Sequence, residues 1–139
     1  MTITMTSPLV VADTAEPSEV HGIHGGRGVD RWKRFVTGLM LYADWESFEH
    51  NSLEAGGAIG EHVHSRTEEI YFIVNGRGRM TLDGVTREVG PGDLIMTPLG
   101  GRHGIENIGD GPLEWIVVEA LPPAIVDLLP SYRPSEVIV

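Results

Sequence analysis

Three histidines and one glutamate, His62, His64, Glu69 and His103, fall inside two spaced patterns that read together as one metal site. The first runs Gly56, His62, His64, Glu69, Gly76, or G-x5-H-x-H-x4-E-x6-G; the second runs Gly92, Pro98, Gly100, His103, Asn107, or G-x5-P-x-G-x2-H-x3-N. Neutral imidazoles are the commonest side-chain ligands of transition metals, and a carboxylate adds a hard, charged oxygen. Such a set leaves a six-coordinate divalent ion two adjacent open positions. Fe(II) is favoured for a mixed nitrogen and oxygen shell of this kind, with Mn, Ni, Co or Zn as alternatives. The ion would act as a Lewis acid or as a template for substrate and oxygen.

The elements that must position these residues follow from the same spacing. Successive strand residues point to opposite faces, so His62 and His64 share a face with Val63 on the other. Glu69 follows the turn-like Ser65-Arg66-Thr67 and opens EIYFIVN, a β-branched and aromatic run that reads as the next strand; Glu68 falls on its opposite face. His103 comes after the Pro98-Leu99-Gly100-Gly101 turn and must close the site from another strand. Gly56, Gly76, Gly92 and Gly100 are expected in turns that need positive φ, and Pro98 and Asn107 as supports for the approach to His103. Strands are predicted near 35–42, 46–53, 60–64, 69–75, 78–82, 86–89, 93–97, 103–107 and 113–120, with Asp83-Gly84 as a hairpin turn. Residues 1–20, with Pro8 and Pro17, read as an extended N-terminal arm in which Leu9, Val10 and Val11 leave strand exchange open. Residues 21–120 form the barrel, and 121–139 a short C-terminal tail with a helical turn in AIVDLL and a last strand in EVIV.

Both patterns match the two motifs of the cupin superfamily at every defining position, and the stretch from about His24 to Ala120 resembles a small single-domain bacterial cupin. The resemblance implies an all-β fold, the double-stranded β-helix or jelly-roll barrel. It also implies that His62, His64, Glu69 and His103 are the metal ligands, and that the chain is a homodimer. Cupins include dioxygenases, decarboxylases, isomerases, lyases, tailoring enzymes and non-enzymatic binders, so the fold alone selects no reaction.

At 139 residues and 41% hydrophobic content, the chain has the size of one domain. Twenty acidic against ten basic residues give a net charge of −10, which argues against nucleic acid or an anionic membrane surface as partner. There is no cysteine, so disulfides, thiolate ligands and a cysteine nucleophile are excluded. The first twenty residues lack the basic start and apolar core of a secretory signal, and a cytoplasmic protein is expected.

Around the metal, Tyr71 shares the inward face of Glu69 and is a candidate proton donor or substrate anchor. His50 is a second catalytic candidate as a cavity acid or base, although alternation groups it with Phe48 and Ser52. Met80, Met96, Ile105, Trp115 and Val117 are expected in the cavity wall, and Arg66 and Arg102 at the rim, where either could hold a carboxylate. His21 and His24, in a glycine-rich stretch, are expected in solvent. A largely apolar cavity points to a small, partly hydrophobic substrate in preference to a phosphosugar. The function expected is that of a metal-dependent enzyme on a small organic carboxylate or oxygenated metabolite, with an Fe(II) dioxygenase or tailoring enzyme first. The alternatives are an oxygen-independent decarboxylase, lyase or isomerase, and a non-catalytic metal and anion binder.

Overall fold

Short runs of alternating side chains separated by Gly, Asn and Asp turns can bury only one face each, and pairing them face to face is the stable solution. The computed structural model describes residues 13–38 and 43–129. Its strands are β1 (Ser18–His21), β2 (Val29–Thr37), β3 (Trp45–Leu53), β4 (Ala58–Val63), β5 (Glu68–Asn75), β6 (Gly78–Leu82), β7 (Val85–Val89), β8 (Leu94–Thr97), β9 (Arg102–Asn107) and β10 (Leu113–Ala120), followed by the single helical turn α1 (Pro123–Val126). They form a six-stranded sheet in the order β1-β2-β3-β10-β5-β8 and a four-stranded sheet in the order β4-β9-β6-β7, all antiparallel. This is the expected jelly roll. Its core joins Ile73, Leu113 and Trp115 of the larger sheet to Ile59, Met80 and Ile105 of the smaller.

The turn chemistry follows the sequence. Asp83 and Gly84 both have positive φ (47° and 79°), the two-residue hairpin geometry that matches strand twist, between Leu82 and Val85. The four motif glycines also have positive φ. At Gly76 a side chain is doubly excluded, because an added Cβ would lie 2.5 Å from the Pro112 carbonyl oxygen. Buried Asn107 ties the end of β9 to two loops: its Nδ2 donates towards the carbonyls of Leu53, Glu54 and Gly111, and its Oδ1 accepts from Gly109 N.

Several expectations are corrected. The boundary of the N-terminal arm at residue 20 falls inside β1, which pairs with β2 through Val20 and Asp30. The first long strand starts at Val29 instead of residue 35, because its inward positions, Asp30, Trp32 and Arg34, are polar or amphipathic and conceal the alternation. Met96 is not a wall residue. It is 62% exposed, and its neighbour Thr97 turns inward instead. The expected AIVDLL helical turn is present as α1, whereas residues 39–42, Leu9–Val11 and the EVIV segment lie outside the described residues.

Candidate metal centre

The smaller sheet supplies the imidazoles. His62 on β4 is the direct cross-strand partner of His103 on β9, and His64, two residues on, returns to the same face. Hydrogen bonds from His64 N to the Gly101 carbonyl (2.9 Å) and from Gly100 N to the His64 carbonyl (2.6 Å) fix that end of the pair. The second motif thus holds the first in place. The carboxylate comes from the facing sheet: Glu69, near the start of β5, is buried, while Glu68 is exposed.

The nitrogens converge. His64 Nε2 lies 3.1 Å from His62 Nε2 and 3.0 Å from His103 Nε2, and Glu69 Oε1 lies 3.3 Å from His64 Nε2 and 3.1 Å from His103 Nε2. Each opposite ring nitrogen has an oxygen beside it. His62 Nδ1 donates to the Gly60 carbonyl at 2.9 Å, His103 Nδ1 is 2.7 Å from Thr97 Oγ1, and His64 Nδ1 is 3.3 Å from Thr67 Oγ1. With the protons on Nδ1, all three Nε2 atoms present lone pairs to one point. Glu69 Oε1 is buried there without a hydrogen-bond donor among the described residues. Four acceptors aimed at one another are mutually repulsive unless a cation satisfies them, so the donor set fits a divalent metal.

Burial lowers the His62 pKa to about 4 against the opposing Gly60 hydrogen bond, and the neighbouring imidazoles His24, His103 and His64 add to the lowering. Glu119, inward on β10, is pushed up to about 9 by burial and by its hydrogen bond with Glu69. His64, Glu69 and Glu119 together make a second group of atoms that could hold an ion. Tyr71 is buried, its ring 5.1 Å from His103, and burial followed by the Glu69 charge raises its pKa well above the usual phenol value, so it stays protonated.

A cavity of about 510 Å³ opens over this cluster. Its lining mixes apolar residues, Ile23, Trp32, Tyr71, Trp115 and Val117, with the charged Glu46, Glu49, Glu69, Glu119, Arg34 and Arg66. Both arginines are committed to carboxylates. Arg34 Nε and a terminal nitrogen contact Glu49 Oε1 at 2.9 and 2.8 Å, and Trp32 Nε1 donates to Glu49 Oε2 at 2.8 Å. Arg66 forms a two-pronged pair with Glu46 at 2.7 and 3.2 Å.

The expected residues divide clearly. The structure brings His62, His64, Glu69, His103 and Tyr71 together and places Arg66 at the rim. It excludes His50 as a cavity acid or base. The inward residues of β3 are Ser47, Glu49, Asn51 and Leu53, so His50 faces out beside Phe35, 3.8 Å from Glu114. The cause is polarity: this strand lines a hydrophilic wall and turns Phe48 and His50 away from it. Arg102 is also outward. Conversely, His24, expected in solvent, lines the cavity with its ring stacked on His62. Arg34 and Glu49 were missed as well; their cross-strand register makes them a pair, but only once β2 is known to start at Val29.

Comparison with known proteins agrees with this architecture. An oxalate-binding protein of Thermotoga maritima is 27% identical over 113 residues, which is 81% of this chain and 93% of that protein. The crystal structure of a predicted oxalate decarboxylase from Thermotoga maritima superposes with a TM-score of 0.77 at 28% identity, covering 81% of this chain and 99% of the other. A polyketide synthase, CurC, of Streptomyces cyaneus is 36% identical over 58 residues, 42% of this chain and 38% of that protein. No helix among the described residues is long and apolar enough to cross a membrane. Residues 50–119, half of the chain, match the Cupin domain family, and with the two motifs and the jelly-roll fold they identify the chain as a member of it.

Proposed function

We propose that this cupin binds one divalent transition metal, Fe(II) in preference, through His62, His64, Glu69 and His103, and that it oxidises a small, partly hydrophobic organic acid or oxygenated metabolite docked at that metal. The observation that carries the reading is the convergence of three Nε2 atoms and the donor-less Glu69 Oε1 on one buried point. When bound, such a metal supplies a Lewis-acidic centre with open positions for substrate oxygens and, as Fe(II), a means of using dioxygen. The chain's own residues do the rest. Gly60, Thr67 and Thr97 orient the imidazoles, Trp32, Tyr71 and Trp115 pack against the organic body and exclude water, and the Tyr71 hydroxyl keeps its proton close to the site.

The cavity wall also bears on the substrate. Arg34 and Arg66 are already paired with Glu49 and Glu46, so a ligand carboxylate gains little from them. That favours one metal-binding head group on an apolar body. The likeness to an oxalate-binding protein supports a second reading, metal-dependent retention of a small dianion without turnover.

The test is elemental analysis of anaerobically purified protein beside a His62→Ala, His103→Ala double variant. Near-stoichiometric iron in the wild type and none in the variant is expected. Oxygen uptake with small carboxylates and phenols then separates oxidation from retention of the ligand. Manganese, nickel or zinc in place of iron would turn the reaction to oxygen-independent lyase or isomerase chemistry, and no metal above the variant would end the metal reading.

We also propose that the chain forms a homodimer, for which the charge-poor outer face of β5 and β8 offers a surface. Phe72 pairs with Leu94 across these strands and Ile70 with Met96. Phe72, Val74, Leu94 and Met96 are all exposed there. A second copy of an acidic chain approaches most easily where charge is sparse.

A further inference from the structure

His24 is held over the cavity by a segment whose backbone is committed to that end. The turn Gly22–Gly26 lies directly on β4: Arg27 N donates to the Ala58 carbonyl at 2.9 Å and Ala58 N to the Arg27 carbonyl at 2.7 Å, while Arg27 Nε reaches the Gly56 carbonyl at 2.9 Å. The contact is backbone on backbone. A Cβ at Gly26 would lie 1.9 Å from the Ala58 carbonyl oxygen, and one at Gly60 would lie 1.9 Å from the carbonyl oxygen of His24. His24 itself has φ 51° and ψ 36°, a left-handed conformation uncommon outside glycine. Two bare glycines and one strained residue thus bring a single imidazole to the mouth of the cavity. Its ring stacks on His62 with centroids 3.7 Å apart and planes 18° from parallel.

His62 is the ligand candidate that needs such help. His64 and His103 are buried and sit beside threonine hydroxyls, whereas His62 is half-buried and its Nδ1 is held, among the described residues, by the carbonyl of Gly60, two residues away on its own strand. We propose that His24 is a positioning residue of the metal centre. Its stacked ring fixes the plane of the His62 imidazole, so that Nε2 stays aimed at the point shared with His64 and His103, and it shuts water off from that side. The inference rests on the metal reading above and goes beyond it, since His24 belongs to neither motif.

The test is a titration of metal-free wild type, H24N and H24F with cobalt(II). The visible ligand-field spectrum reports coordination geometry, and competition with a chromophoric chelator reports affinity. Asn tolerates the left-handed conformation and removes the ring, while Phe keeps a ring to stack and has no nitrogen to coordinate. The expected result is roughly tenfold weaker binding with a changed spectrum in H24N, recovery of both in H24F, and cooperative unfolding of all three metal-free proteins, with H24F the least stable because Phe is disfavoured at positive φ. Wild-type affinity and spectrum in H24N would overturn the proposal. So would an H24F as weak as H24N, because the ring nitrogen and not the stacking would then be what matters. Failure of the wild type to take up cobalt would remove the metal reading itself, and the role of His24 with it.

Discussion

Thr97 shows how much of the centre depends on single atoms. Its buried hydroxyl is the partner of His103 Nδ1 at 2.7 Å, and this contact sets which nitrogen faces the metal. Thr97→Val should weaken metal binding about 10- to 100-fold in a chelator competition, and should cost the metal-free fold about 1–3 kcal/mol by leaving that nitrogen buried and unpaired. Asp30 is a residue of the opposite kind, buried but remote from the ligands. Among the described residues neither of its oxygens meets a donor in good geometry, and burial, opposed by the Ser52 backbone and reinforced by the Glu49 charge, pushes its pKa up to about 7. The folded state therefore holds a proton that the unfolded state has already released between about pH 4 and 7. Stability from this group falls as pH rises through that window, by an upper limit on the order of 4 kcal/mol at roughly 1.4 kcal/mol per unit. Asp30→Asn should accordingly raise the unfolding temperature at pH 8, with the advantage over wild type shrinking to nothing near pH 4. A constant difference across that range would show that Asp30 is not held protonated by the fold.

Among the elements, β4 carries the heaviest demand. One edge of it pairs with β9 and so opposes His62 to His103, while Gly60 gives way to the His24 turn. Gly60→Ala should cost about 1–3 kcal/mol in urea unfolding through overpacking against backbone, and it should weaken cobalt binding in the same sense as H24N, because the turn would be lifted from its seat. Wild-type stability in Gly60→Ala would mean that the turn moves aside at little cost. On β3 the usual rule of apolar residues inward is reversed over part of its length, with Glu49 and Asn51 facing the cavity and Phe48 and His50 facing out. That reversal is the signature of a barrel whose interior is half core and half binding site. It explains why a reading built on apolar alternation placed the strand correctly but left the direction of His50 open.

For the molecule as a whole, the two sheets divide the work. The smaller sheet carries the three imidazoles, the larger sheet supplies the carboxylates and most of the cavity wall, and its outer face is left apolar at β5 and β8. Sedimentation equilibrium at micromolar concentration should give twice the 15.1 kDa chain mass, and a Phe72→Glu, Leu94→Glu variant should return the monomer; a wild-type monomer would end the homodimer proposal. The sequence by itself determined the all-β class, most strand positions, the Asp83-Gly84 hairpin and the His62, His64, Glu69 and His103 grouping. These follow from spacing, because a two-residue strand period and the left-handed turns that glycine allows are local properties of the chain. The tertiary structure alone decided that His24 lies on His62, that Arg34 and Arg66 are already paired with Glu49 and Glu46, and that Met96 and His50 face out. Those facts join residues as far apart as His24 and His62, or turn on whether a given strand face meets core, cavity or solvent. Neither distance nor facing is fixed until both sheets have packed.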